Sequence, residues 1–442
     1  MSKFNKDVFN TILTRIVLLV LGILPSIFIA RILGPEGKGL ASLALILPVL
    51  IITFTNWGIP LATTYYTAKG DFSPSEILWN NLILSIVISV FSLVIGFIII
   101  FFFSKILFPG VPVFYLSLAL LTIPFSLLSG NLSNIFLGLQ RIKTLNYFNL
   151  LQSLLSIFLT VIFVVILRMG VVGVIESSIL AGLLFVSVLL YRLFRITGGA
   201  VVKLNRKYIK KATTYGLMGH ISSLFSFLNY RVDIFFINLF LNPSAVGSYS
   251  IAVGFAEQLW LVSFAVNLVF FPRIAGEKNE IRRNELTPLL CRTILFISII
   301  GAAILYFFAP SLIILLYSNK FFPAIQPLRI LLVGIVTLTV WRILANDLAA
   351  RGRPELNIYT NFIAVVVNII LNILWIPKVG ISGAAWASVV SYTTAAVGAV
   401  LIYRKISGNH FAKIIFPQLS DWKLYKNLII SFGKKGELIR RE

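Results

Sequence analysis

The sequence predicts an all-α polytopic membrane protein of about twelve transmembrane helices, arranged as two parallel repeats of six. Three observations predict it. The 442-residue chain is 58% hydrophobic and only 12% charged, with a mean hydropathy of +0.96, far from the average of a soluble domain. Apolar runs long enough to cross the roughly 30 Å hydrocarbon layer recur along the whole length. The polar punctuation between those runs repeats about halfway along. Leu145-Asn146-Tyr147-Phe148-Asn149 is answered by Leu356-Asn357-Ile358-Tyr359-Thr360-Asn361, with one residue inserted. Gly170-Val171-Val172-Gly173 is answered by Gly380-Ile381-Ser382-Gly383, and Leu33-Gly34-Pro35 with Gly39 by Leu241-Asn242-Pro243 with Gly247.

The spans follow in order. Phe9–Leu33 and Leu40–Ala68 meet at Gly34-Pro35 and carry Pro25, Pro48 and Pro60. Each of these prolines removes a backbone hydrogen bond and bends its helix. Ile77–Phe103, Val113–Leu137 (with Pro124), Tyr147–Leu167 and Val172–Phe194 complete the first set. The second set is Thr213–Leu241, Ala245–Ile274, Leu289–Tyr317, Ala324–Ala349, Leu356–Ile376 and Ile381–Tyr403. Six spans return the chain to its starting side, so the second copy keeps the orientation of the first and the repeats are parallel. The expected division is a six-helix lobe over residues 1–195, a basic linker over 196–212, a second lobe over 213–405 and a basic tail over 406–442. Two such bundles in one chain predict a transporter with its site between them. The first apolar stretch is full length and lacks a small-residue cleavage site, so it is expected to be a retained span. The tail alternates apolar clusters with lysines; an amphipathic segment on the inner leaflet and a disordered one both fit.

The formal charge of +23 resembles a nucleic-acid signal until it is mapped onto the loops. With a cytoplasmic N-terminus, one side holds nearly all of the basic residues, including Lys69, Arg141, Arg206, Lys211, Arg283 and Arg351. The other side holds only Lys38, Lys105, Arg168, Lys320 and Lys378. This positive-inside bias places both termini in the cytoplasm of a bacterial or archaeal cell membrane and argues against a nucleic-acid partner. The single cysteine, Cys291, excludes an internal disulfide and any cysteine-based metal cluster, and no cofactor is implied.

Charged residues at membrane depth are the sharpest clue, because each costs about 2.5–3.5 kcal/mol to insert and therefore faces a wet cavity or a partner. Arg15, His220, Arg231, Asp233, Glu257 and Arg342 lie well inside their spans, with Asp347 and Glu176 nearer the ends. Arg15, His220, Arg231 and Arg342 are candidates for binding an anion, since guanidinium stays charged and grips phosphate oxygens in a fork. Asp233, Glu257 and Asp347 are candidates for ion coupling or for balancing those arginines. The bland alternative ties each arginine to a helical carbonyl or to one of these carboxylates. Arg31 and Arg329 read as anchors at the outer interface. Asn149, Ser153, Ser156 and Thr160 share a face in the fifth span, as Asn361, Asn368 and Asn372 do in its repeat partner. Such faces glue helices together or line a water path. Glu257, Trp260, Phe264 and Asn267 share another, where an aromatic ring packs or stacks on a sugar.

Several of these segments carry a resemblance. Gly352-Arg353, Asn368, Asn372, Ile376-Pro377 and Gly380-Ile381-Ser382-Gly383-Ala384-Ala385 with Ala387 resemble the second-half signature of the polysaccharide-transport branch of the multidrug/oligosaccharidyl-lipid/polysaccharide flippase superfamily. Val246-Gly247-Ser248-Tyr249 with Ala252 and Glu257, and Ala30-Arg31-Ile32-Leu33-Gly34-Pro35 with Gly39, are similar to its other motifs. The resemblance covers nearly the whole chain. It implies a MATE-like fold of two lobes around a central cationic cavity, with alternating access. It also implies a substrate, an undecaprenyl-pyrophosphate-linked oligosaccharide, flipped from inner to outer leaflet for surface polysaccharide biosynthesis. Arg15, Arg231 and Arg342 then meet the pyrophosphate, and polysaccharide polymerase and glycosyltransferases of the same pathway are expected partners. Two other classes compete. A cation-coupled multidrug or metabolite exporter of the MATE type predicts an acidic pocket, whereas the buried excess here is basic. A membrane enzyme needs catalytic carboxylates or a metal motif on a sizeable loop, and the loops are short.

Overall fold

The first turn of the chain is made by a glycine. Helix α1 (Lys3–Thr55) is continuous except at Gly34, whose φ of 69° and ψ of −173° split it into two membrane passes. A left-handed φ carries no steric penalty for glycine, and Pro35 then begins the second pass at a position where its missing N–H is not needed. The computed structural model describes residues 3–198, 204–260, 279–353, 355–418 and 421, except for the side chains of 3–16, 218 and 219.

The second pass breaks again at Asn56–Gly58, where Trp57 and Gly58 take positive φ, and continues as α2 (Ile59–Lys69). It is followed by α3 (Pro74–Leu107), α4 (Val113–Leu120), α5 (Thr122–Gly138), α6 (Ile142–Thr160) with a π-helical extension over Val161–Ile166, and α7 (Gly170–Thr197). The second half contains α8 (Arg206–Phe240), α9 (Pro243–Glu257), α10 (Glu280–Tyr317), α11 (Ile325–Ala350), α12 (Glu355–Val379), α13 (Ile381–Ser407) and the short α14 (Phe411–Ile415). Local sequence sets the ends of these helices. Ser73 and Glu76 form a capping box on α3, while Asn205, Asn242 and Asn279 cap α8, α9 and α10. These oxygens satisfy backbone N–H groups that have no partner within the helix.

Nine helical stretches among the described residues are long and apolar enough to cross a membrane. The expected twelve passes differ from this number for three reasons. Helix α1 makes two of them around Gly34, α8 is diluted by its charged residues, and α9 runs into residues 261–278, outside the described set. The chain is an all-helical, multi-pass membrane protein. One end of the bundle turns at Gly34, Gly110, Gly170 and Gly380, the glycine rim. The opposite, basic rim carries Lys69, Arg141, Arg195, Arg206 and Arg351.

The two halves meet where the second pass of α1 crosses α9. A Cβ on Gly39 would stand 1.7 Å from the Pro243 carbonyl oxygen, and one on Gly247 would stand 2.0 Å from that of Pro35. Ser42 and Ser250, 208 residues apart, bring their hydroxyls to 3.4 Å. The same offset relates Gly39 to Gly247 and Pro35 to Pro243, so the contact is self-complementary, like the two-fold interface of a homodimer. Around it, Phe108 meets Phe235 edge to face at 5.7 Å, and the Asn238 amide donates to the Pro109 carbonyl at 3.2 Å. Arg31, expected at the outer interface, is exposed at this rim and also joins the two halves. Its guanidinium crosses to the other half and donates to the carbonyls of Leu316, at 2.8 Å, and of Leu315. At the glycine rim the two halves are therefore in direct contact.

Toward the basic rim the halves touch again. Gly58 and Gly216 pack backbone to backbone, and Tyr65 stacks on Tyr215 with centroids 4.5 Å apart. Tyr208 donates to Asn81 at 2.9 Å, and the Asn205 backbone N–H to Asn80 at 2.9 Å. Within each half, neutral amides and hydroxyls join the helices, as in Asn131 to Ser85 and Asn361 to Ser226. The described part of the tail packs on the second half. Helix α14 returns along α10, and Asp421 forms a two-pronged ion pair with Arg292 at 2.6 and 2.8 Å, both side chains almost fully buried. Arg292 lies near the start of the ninth apolar run and was not singled out there. The remainder of the tail lies outside the described residues.

Two outcomes test these contacts. Ser42→Cys/Ser250→Cys should cross-link readily in an otherwise unchanged chain, since the native Cys291 is buried. Adding Gly39→Ala should abolish the cross-link, because no β-carbon fits against Pro243. For Asp421, burial works against its charge, but hydrogen bonds and attraction from Arg292 outweigh burial and hold its carboxyl below the usual range. A depressed folded-state pKa contributes stability above the ordinary carboxylate value of about 4, and loses it as pH falls below that value. Protease protection of residues 411–421 should thus persist at neutral pH and vanish in acid. Asp421→Asn should remove it at neutral pH, at a cost of about 3–5 kcal/mol for stranding a buried guanidinium.

Candidate substrate-binding site

Three adjacent helices of the second half bring the predicted charges together. Arg231 on α8 and Glu257 at the end of α9 face each other because the two helices are antiparallel neighbours joined by the tight Leu241–Asn242 turn. They form a bidentate pair, Nη1 to Oε1 at 2.8 Å and Nη2 to Oε2 at 3.1 Å, with 30% and 21% of the side chains exposed. Of the two readings open for Arg231, the geometry is that of the arginine tied to a carboxylate. Asp233, two residues on, points elsewhere, as its spacing requires. It is buried and accepts from the Tyr249 hydroxyl at 2.6 Å, from the Ser388 hydroxyl at 3.3 Å and from the Ile234 backbone N–H at 2.8 Å.

Arg342 of α11 has a different environment. Its guanidinium lies 3.9 Å over the Trp260 ring and 5.9 Å from that of Tyr230. It is half-buried and makes no ion pair among the described residues. Tyr230 in turn packs against Trp260 at 5.1 Å and Tyr392 at 5.8 Å. One face of Trp260 is thus covered by a cation, not bare for a sugar. An aromatic wall under a guanidinium holds the charge without neutralising it, since the ring quadrupole attracts cations but contributes no counter-charge. Tyr230 and Tyr392 were not singled out from sequence, although Tyr230 adjoins Arg231 and so signalled itself weakly; Tyr249 entered there only as part of the Val246–Tyr249 motif.

The other predicted residues lie apart. His220 is buried on α8 beside the backbone of Phe54, at the seam between the halves, with Nε2 unpartnered. Asp347 belongs to the basic rim, where it accepts from Thr287 at 2.9 Å and Arg351 at 2.6 Å. The side chain of Arg15 lies outside the described residues, as do Phe264 and Asn267. The asparagine stripe of α12 is glue: Asn368 donates to Asn229 at 3.3 Å and Asn372 to the Asn368 carbonyl at 2.9 Å. Arg329 packs over Tyr306 at 4.8 Å.

Comparison with known proteins identifies the family and the fold. The family profile described as "Polysaccharide biosynthesis protein" matches residues 4–278, more than half of the chain, and the MatE profile matches residues 220–374. The chain is 28% identical over 270 residues to a protein of Haloferax volcanii named "Probable low-salt glycan biosynthesis flippase Agl15", covering 58% of this chain and 54% of that one. The matched regions span between about two fifths and about half the length of the curated relatives. An inward-facing multidrug resistance MATE family transporter of the MOP superfamily superposes with a TM-score of 0.73 at 18% identity, covering 88% of this chain and 94% of that one. The lipid II flippase MurJ, in an inward closed conformation, gives 0.72 at 15% identity, covering 89% and 87%. The sequence profile places this chain in the polysaccharide biosynthesis protein family, and the solved structures show that it shares the fold of the MATE transporter and of MurJ.

Proposed function

We propose that the protein is a flippase that carries a lipid-linked oligosaccharide, attached through an undecaprenyl pyrophosphate, from the inner to the outer leaflet for surface polysaccharide assembly. The physical problem is the anionic head, which cannot cross hydrocarbon unaided, while the polyprenyl tail can stay in lipid. The observation that supports this reading most is Arg342, a half-buried guanidinium seated on Trp260 with no carboxylate partner among the described residues. Arg231 is available only to a ligand that displaces Glu257, so it acts as a second, conditional contact, and Arg15 remains a further candidate. In this reading the halves move as lobes over 1–195 and 213–405. The basic rim faces the cytoplasm with both termini, by the positive-inside rule, and the glycine rim, where the halves touch, faces outward. Polymerase and glycosyltransferases supply and consume the substrate.

Rocking requires the halves to part at the glycine rim, where the backbone crossing at Gly39 and Gly247 and the side-chain contacts around it must open. Asp233 and Glu257 are the carboxylates positioned to couple that motion to an ion. The MatE profile match over 220–374 favours a second reading, a cation-coupled exporter of drugs or metabolites.

Arg342→Ala should reduce outward delivery of lipid-linked glycan at least tenfold at normal protein level, and Arg342→Lys should restore little, because an ammonium does not stack flat on indole. Arg231→Gln/Glu257→Gln, which removes a neutral pair, should retain more delivery than Arg342→Ala. Full glycan delivery by Arg342→Ala would sink the proposal. Extrusion of cationic dyes without glycan delivery would establish the exporter instead.

A further inference from the structure

Outside the site just described, the second half carries a charged groove at the basic rim. It lies between the starts of α10 and α12 and the end of α13, and has a volume of about 690 Å³. Arg351, Arg353 and Lys405 line it together with Arg283, against a single acid, Glu280, and its apolar walls include Leu356 and Ile402. We propose that this groove binds the phosphate headgroup of an anionic phospholipid resident in the surrounding membrane.

Arg351 is the built element. Its side chain is 8% exposed, and its Nε is held by Asp347 at 2.6 Å. Its Nη2 is held by Asn284 at 2.6 Å. Two of the three guanidinium nitrogens are therefore fixed from behind, and Nη1 makes no hydrogen bond within the described residues. A guanidinium anchored in this way presents donors with little conformational entropy left to lose, the condition for tight phosphate contact. Arg353 follows the turn at Gly352, whose φ of 77° lets the chain double back, and its N–H donates to the Leu348 carbonyl at 3.0 Å. That turn sets Arg353, an exposed side chain, beside Arg351.

The apolar walls argue for a lipid over a soluble phosphate. From Leu356, the same face of α12 continues at helical spacing through Tyr359 and Ile363, which are 63% and 53% exposed. A headgroup in the groove thus has an apolar track for its acyl chain, at the level where three spans leave the membrane. Surface attraction alone is worth about 1 kcal/mol per basic residue; a fixed guanidinium in a concave groove adds site-specific contacts. This inference stands independently of the transported substrate.

The test uses the full chain in nanodiscs of phosphatidylcholine with or without phosphatidylglycerol. Native mass spectrometry should retain phosphatidylglycerol on the wild type, and Arg353→Gln/Lys405→Gln, both exposed, should weaken that retention about tenfold. Arg206→Gln/Lys207→Gln removes the same charge from the same rim away from the groove and should change retention little. Equal loss in that control pair, or unchanged retention in the groove pair, would overturn the site. So would glycerol phosphate competing as well as the intact lipid, which would make it a soluble-phosphate site. Glycan delivery by the groove pair separates its failure from that of the flippase reading.

Discussion

The architecture depends on a backbone crossing. Where α1 passes α9, Gly39 and Gly247 each leave no space for a β-carbon against the opposite chain, so the halves approach as closely as polypeptide allows. In hydrocarbon, association between helices gains nothing from excluding water and relies on close packing of small residues. The same physics is used at Gly58 and Gly216. Contacts of this kind are close but not deeply interdigitated.

Inside the membrane, the cost of a bare charge organises the rest. Arg231 meets Glu257, Arg351 meets Asp347, and Arg292 meets Asp421. Asp233, which forms no ion pair among the described residues, is wrapped in donors from Tyr249, Ser388 and backbone. Arg342 departs from this pattern by resting on an aromatic wall. Beside the Arg231–Glu257 pair, a cation held by a ring quadrupole keeps an attraction for anions that Arg231 has given to its carboxylate.

The Arg292–Asp421 pair shows a structural use of the same rule. A buried pair contributes little net stability when intact, yet is costly to break. Here it draws the start of the tail against α10, so a segment of ambiguous composition becomes part of the packed second half. Asn284 and Asn409 extend the docking, the latter donating to the Asn284 carbonyl at 2.8 Å.

Fold class, repeat and membrane character were legible from the sequence, because hydrocarbon imposes span length and apolarity on every segment and duplication leaves its punctuation in place. The conditions for Asp233 pointing away from Arg231 were legible as well, since two residues on a helix subtend a fixed angle. What no local pattern contained was partnership. Glu257 reaching Arg231 depends on how α8 and α9 are joined, and Trp260 lying under Arg342 depends on where α11 packs. Arg31 crossing to Leu315 and Leu316, and the tail returning to Arg292, both depend on contacts between residues far apart in the chain. Sequence determines which charges must be compensated; only the tertiary structure decides which of them are, because compensation acts over a few ångströms in space and not along the chain.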